Sequence, residues 1–428
     1  MKKKILSCLI LLSALFTNVE KIKAMPVDFK DENFYKCVVE SYKIENETNY
    51  GYEVNLTDEQ LGFIRRINCS FDEQGDITGF SKLVNIEYAD FYHVNNTTID
   101  LSKNKKLRWL TATNGKLENL DLSNNVELTH LQLHNNKLKI IDVSKNLKLQ
   151  HLNLYGNSIT EIDVTKNKEL KELTVHGSFE KIDLSNNQKL TNLALNGNIK
   201  YLDLDKNIEL TTLWLGFNEL SDINLSNNTK LVDIDLSFNE LSKLDLSKNI
   251  NLQRLKIYGN NLIENSFEIP NTIKSLGIFG NEVSLFDLRK FKNLEKLYVT
   301  SLTGETIILN SGKELSSYFE SNVFVETSDE NVVSISGNKF KTIKEGTATI
   351  KLDDGKELKI IVKDDKTTSE SDEEQKAIST TTETTITTEA PVSNPKTNDI
   401  NTLLVGVGTI LLGLGIIISV KKIKKLSK

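Results

Sequence analysis

Basic charge is not in surplus in this 428-residue chain: the formal net charge is -6 and the pI about 5.6. Nothing is left over to neutralise a phosphate backbone, which argues against a nucleic-acid partner. Cysteine is scarce as well. Of the three cysteines, Cys8 lies near the N-terminus, so a disulfide-dense scaffold is excluded. Cys37 and Cys69 can pair if the protein is exported, although two buried thiols is the plainer reading. Catalytic signatures are missing too. There is no H-E-x-x-H, no G-x-S-x-G and no phosphate-binding loop, and the glycine-rich GVGTILLGLG lies inside a long apolar run. No enzyme, cofactor or metal is expected.

What is present begins with the two ends. MKKKILSCLILLSALF has a lysine-rich start and an apolar stretch short of a bilayer span, and Ala24 follows as a cleavage residue. Residues 1–24 therefore read as a secretory signal peptide. From Ile400 to Val420 the chain is apolar for about one membrane-spanning helix, and lysines 421, 422, 424 and 425 follow directly. Such a span would hold the exported chain in the membrane with its basic tail inside.

Between the ends the chain repeats itself about every 21 residues, as in LTHLQLHNNKLKIIDVSKNLK from Leu128 and LVDIDLSFNELSKLDLSKNIN from Leu231. The common frame is L-x-x-L-x-L-x-x-N followed by [LI]-D-[LV]-S-x-N. In L-x-L the two leucines point to one face of a short strand and x to the other. No unit can bury its apolar face alone, so successive coils must stack over a continuous core. Over roughly Leu83 to Thr300 the sequence resembles leucine-rich repeat proteins, which implies a solenoid of short parallel strands.

Asn136, Asn157, Asn198, Asn218, Asn239, Asn260 and Asn281 recur where each strand enters its loop, and an inward amide there can satisfy turn backbone groups. Ser178 stands in place of one of them, and the second half-repeat is lost around Ile263 to Pro270; irregular coils are expected at both. The aspartates Asp100, Asp121, Asp142, Asp163, Asp183, Asp203 and Asp245 form another column, read as acceptors for turn backbone.

Residues 25–82 should form a helical N-terminal cap: DFKDENFYKCVVESY has helical apolar spacing, and LTDEQLGFIRRI opens with Thr57 and Gln60 in capping-box spacing. Repeats then occupy 83–302. Residues 303–363 alternate in short strands separated by Gly and Asp/Asn turns, the texture of a small all-β sandwich. SDENVVSISGNKFKTIKEGTATI resembles bacterial Ig-like domains of group 2, which implies a spacer. Residues 364–393, rich in Thr, Ser and Glu, carry too little apolar surface to fold and should form a disordered stalk.

Residues 394–428 complete the order. Asn394, Pro395, Lys396, Thr397 and Asn398 stand before the transmembrane span and basic tail. This NPKTN string is similar to the sortase sorting signals of Gram-positive surface proteins. The resemblance implies attack by a sortase cysteine on the Thr397 carbonyl and transfer to a peptidoglycan amine. The chain departs from the commonest form, L-P-x-T-G, at Asn394 and Asn398.

Function must then come from positions that the repeat leaves free. On the concave, outward side of the strands lie Trp109, His130, His134, His151, Tyr155 and His176, then Trp214, Phe217, Phe238, Tyr258 and Phe279. Large apolar groups in adjacent coils make a patch, and patches mark interaction surfaces, here for an unknown protein or glycan. Phe217 and Phe238 stand immediately before a ladder Asn and can alternatively tuck into the turn. His130 and His151 fall in one column at about one strand spacing, near enough for a shared metal or a pH-sensitive pair, although solvated polar surface is the plainer reading and no third ligand is evident.

Overall fold

The computed structural model describes residues 26–47, 55–299, 302 and 304–363. The signal peptide, the stalk, the sorting motif and the apolar run lie outside the described residues. Among the described residues no helix is long and apolar enough to cross a membrane.

The repeat builds a β-solenoid. Its strands join side by side in a 15-stranded sheet, parallel from the first strand, Arg66–Gly75, as far as Glu314–Ser317. Register is kept from coil to coil, so Trp109, His130, His151, Glu172, Asn192, Thr212, Asp233, Arg254, Ser275 and Lys296 form one outward row. Along each strand burial alternates, as the period of two requires: Leu152 and Leu154 are buried, while His151, Asn153 and Tyr155 are half-buried. The sheet starts earlier than Leu83. Arg66 to Gly75 already pairs with Tyr88–Val94, within the stretch assigned to the cap.

The cap itself is a helix, α1 (Glu32–Asn46), and a single turn, α2 (Asp58–Leu61). The Asp31 side chain accepts from the amides of Asn33 and Phe34, satisfying donors that the first helical turn leaves open. At α2 both arms of the Thr57/Gln60 capping box are made. The second helix is shorter than its sequence suggests, because the IRRI segment is recruited as a strand. Burial of Phe34, Val38 and Val39 closes the first coil. Cys37 and Cys69 are joined in a disulfide between α1 and the first strand, with Cα atoms 6.0 Å apart, so the two-thiol reading is corrected. The helix and strand pack face to face, which brings the two sulfurs into bonding range.

Two asparagine columns tie the coils together. Asn136 donates to the carbonyls of Ala112 and Leu133 and accepts from the Leu117 amide, and Asn157, Asn218, Asn239, Asn260 and Asn281 repeat this role. Asn198 does not: it is exposed, and Gly197 stands at the ladder position. Likewise Gly177, not Ser178, replaces the amide in its coil. The physical reason is a contracted turn. Leu170 to Leu190 and Leu190 to Leu210 are each one residue shorter than Leu149 to Leu170, and a Cβ on Gly177 would lie 1.9 Å from the Ile159 carbonyl oxygen.

The second column was not assigned from sequence. Asn104, Asn125, Asn146, Asn167, Asn187, Asn207, Asn228 and Asn249, from S-x-N and its variants, have no exposed surface. Each donates to two carbonyls of the preceding coil, Asn146 to Leu122 and Asn125 for example. The aspartate column behaves as expected, Asp142 accepting from the Ser144 amide and Asp245 from that of Ser247. Around Ile263 to Pro270 the lost half-repeat is replaced by Phe267–Glu268, paired with Leu244–Asp245.

Beyond the repeats, strands continue both sheets rather than starting afresh. Glu314–Ser317 pairs parallel with Lys296–Leu297 and antiparallel with Lys339–Thr342. On the other side a five-stranded sheet runs from Leu285–Asp287 through Thr306–Leu309 to Glu357–Val362, Gly346–Leu352 and Phe324–Thr327. The first strands after residue 303 thus keep the parallel direction, and antiparallel pairing enters only with Phe324–Thr327, Lys339–Thr342 and Gly346–Leu352, over one shared apolar core.

Candidate functional site: the outward face of the long sheet

Three blocks of side chains lie along the outward face. In the first, Trp109 stacks on His130 with centroids 4.1 Å apart, and His130 on His151 at 4.2 Å, the rings within 16° and 12° of parallel. In-register parallel strands set this spacing, since rings one coil apart have no other place to go. The stack ends on Glu172, whose carboxylate lies 3.1 Å from His151 Nδ1. Burial, then the neighbouring His151, pushes the His130 pKa down to about 4. The hydrogen bond with His151 holds Glu172 below the usual carboxylate range.

This geometry does not suit a shared zinc. Imidazole lone pairs lie in the ring plane, and two parallel planes 4.2 Å apart cannot both aim at an ion about 2.0 Å from each nitrogen. Among the described residues no group of three or more His, Cys, Asp or Glu is placed to hold a metal. One column over, His134 and His176 have buried Nδ1 atoms without a hydrogen-bond partner, and burial lowers both pKa values. Tyr155 stacks on His176 at 5.5 Å.

The third block holds charges. Asp233 and Arg254 pair at 2.8 Å, as do Asp235 and Lys256. Burial alone would lower the Lys256 pKa, but Asp235 and Tyr258 outweigh it and the net shift is upward. The Lys256 ammonium also lies 5.2 Å from the Tyr298 ring, which stacks on Tyr318 at 4.0 Å. Sequence reasoning missed this cluster. Its signal was D-I-D at Asp233 facing R-L-K at Arg254 one repeat later, legible only with the register in hand.

Between them lie Trp214, Phe217 and Phe238. Phe217 and Phe238 do not tuck into the turn: Phe217 is 45% exposed, and it stacks on Phe238 at 4.6 Å. Both have left-handed backbones, φ 61° and 54°. The equivalent residues in other coils are His93, Asn114, Asn135, Gly156, Gly259 and Gly280, mostly asparagine and glycine, types that tolerate this conformation. Holding a phenylalanine there costs roughly 1 kcal/mol each. Tyr258 meets Phe238 edge-on at 5.2 Å. Phe279 is the exception among the candidate residues: it has no exposed surface and packs edge-on against Phe286, so it belongs to the core and cannot touch a ligand.

No protein-family model matches the chain, and no curated protein matches it in sequence. Solved structures do. An internalin from Listeria monocytogenes aligns with a TM-score of 0.57 at 20% identity, over 68% of this chain and 87% of the other. A leucine-rich repeat protein of Leptospira interrogans aligns with a TM-score of 0.50 at 18% identity, over 70% and 82%. The likeness establishes the leucine-rich repeat fold.

Proposed function

We propose that this chain is an exported surface protein whose solenoid binds a protein or glycan through the outward face of its long sheet. The observation that carries the reading is the row of half-buried aromatic and imidazole rings, continued by Phe217 and Phe238 in backbone conformations their residue type does not favour. Strain retained at exposed rings points to use rather than packing. Rings at this depth offer large, rigid contact area at little entropic cost, as in many recognition surfaces. Catalysis has no comparable support, and the carboxylates Glu172, Asp233 and Asp235 on this face are each engaged by a neighbouring side chain.

Anchoring is the second half of the proposal. The leader would export the chain, the apolar run would hold it in the membrane, and a sortase would join Thr397 to peptidoglycan. The stalk and the Ig-like strands would carry the face outward from a Gram-positive wall. Replacing Trp109, Trp214 and Tyr258 together with alanine tests the face: binding to host cells, matrix or wall polymers should fall while the melting curve is kept. Unchanged binding by a folded variant leaves a spacer without a ligand. Thr397→Ala tests the anchor, shifting the protein from muralytic-enzyme release to detergent extraction if sorting occurs.

A further inference from the structure

The middle block differs from its flanks in one respect: it carries no formal charge. Its outward residues are Asn192, Ala194 and Asn196 on one coil and Thr212, Trp214 and Phe217 on the next. On either side charges are paired, Glu172 with His151 on one flank, Asp233 with Arg254 and Asp235 with Lys256 on the other, and exposed Lys171 stands beside Glu172. Burial keeps neighbouring His176 neutral near pH 7.

The two aromatic rings also stand beside small or missing neighbours. Trp214 is paired on its N-terminal side with Ala194, which offers only a methyl group. Phe217 has Phe238 against one face, but on the other side the equivalent left-handed residue is missing. The coils from Leu170 and Leu190 are each a residue short there: Gly177 follows His176 directly and Gly197 follows Asn196, with no positive-φ residue between them. Two neighbouring coils thus lack a side chain in this column, a gap of roughly 10 Å at the usual strand spacing. Asn196 donates its amide to the Gly216 carbonyl, which leaves its own oxygen available as an acceptor.

We propose that this gap is a subsite for a neutral sugar chain. A pyranose has an apolar face of C–H groups, suited to an open aromatic ring, and a rim of hydroxyls, suited to carboxamides and threonine hydroxyls. Trp214 and Phe217 supply the rings; Asn192, Asn196 and Thr212 supply the rim. The outward residues of these two coils offer no cation to a sulfated or uronic polymer and no counter-charge to a charged peptide, so an uncharged glycan fits best. The assignment rests on the proposed binding role of this face and sharpens it to one ligand class and one place.

The test titrates the full chain, in a sugar-free detergent, with chitotetraose, cellotetraose and mannotetraose, and with a sulfated heparin tetrasaccharide for contrast. Isothermal calorimetry should detect at least one neutral tetrasaccharide, bound in preference to the sulfated one. Phe217→Asn, which restores the residue type of Asn114 and Asn135, should weaken that binding by at least about tenfold while the chain stays folded. Trp214→Thr should do the same. The proposal is overturned if none of the three neutral sugars binds, if the sulfated one binds more tightly, or if both variants bind like the parent. Should the chain bind cell surfaces stripped of carbohydrate and lose that binding in Trp109→Ala, the sugar subsite falls while the wider reading of the face survives.

Discussion

The two sides of the long sheet obey different rules. Toward the interior, in the turns that lead into its strands, the asparagine column from Asn104 to Asn249 is unbroken, every member without exposed surface and every member donating into the coil before it. On the outward side no row keeps one residue type: Trp109, His130, His151, Glu172, Asn192, Thr212 and Asp233 succeed one another in a single register. A repeat survives where each coil must solve the same packing and hydrogen-bonding problem. Where solvent relaxes that demand, the side chains are free to specialise, and the departures carry the information about function.

Breaking the buried side should have the largest effect. Asn146→Ala strands the carbonyls of Leu122 and Asn125 in the interior and should lower unfolding free energy by roughly 3 kcal/mol, read from denaturant melts. The contracted coils should be nearly as intolerant. Gly177→Asn restores the ladder residue by name but drives a Cβ into the Ile159 carbonyl, so a loss of about 2 kcal/mol is expected instead of a gain.

Acid should act from the outward side. The pKa of His130, about 4 when folded, lies below the 6.5 of a free imidazole, so between those values the unfolded chain takes up the proton first. Stability is therefore full above about pH 6.5 and declines toward pH 4. His134 and His176, also lowered by burial, act in the same direction. Glu172 adds to the loss as pH falls below 4.5, since its folded pKa is depressed. Melting temperature measured across this range should drop on the acid side, and His130→Gln should flatten part of the drop.

The solenoid was legible in the sequence because its cause is repeated: leucines at fixed spacing, aspartates that accept from Ser144 or Ser247, and a capping box at Thr57. The second asparagine column was visible as S-x-N yet had no assigned task, because only the stacked coils reveal the carbonyls it serves. Ser178 and Asn198 were misplaced by a related limit. A one-residue contraction cannot be located from a pattern of leucines, whereas the hydrogen bonds of Ser178 to Ile159 and Asn198 to Phe179 fix it. Among the candidate site residues the outward positions were read from strand alternation alone. That rule holds through Tyr258 and fails at Phe279, whose ring packs edge-on against Phe286 of the same coil and keeps no exposed surface.

The central claim is that the repeating side holds the fold and the irregular side is kept for recognition, and Phe217 tests it most directly. Phe217→Asn removes a ring stack while relieving a left-handed phenylalanine, two effects of about 1 kcal/mol and opposite sign. Unfolding free energies of Phe217→Asn and Asn239→Ala, measured side by side, should show the first within about 1 kcal/mol of the parent and the second lower by roughly 3 kcal/mol. A loss of about 3–5 kcal/mol for Phe217→Asn, as for a core phenylalanine, would contradict the account, because the ring would then be there to hold the solenoid together.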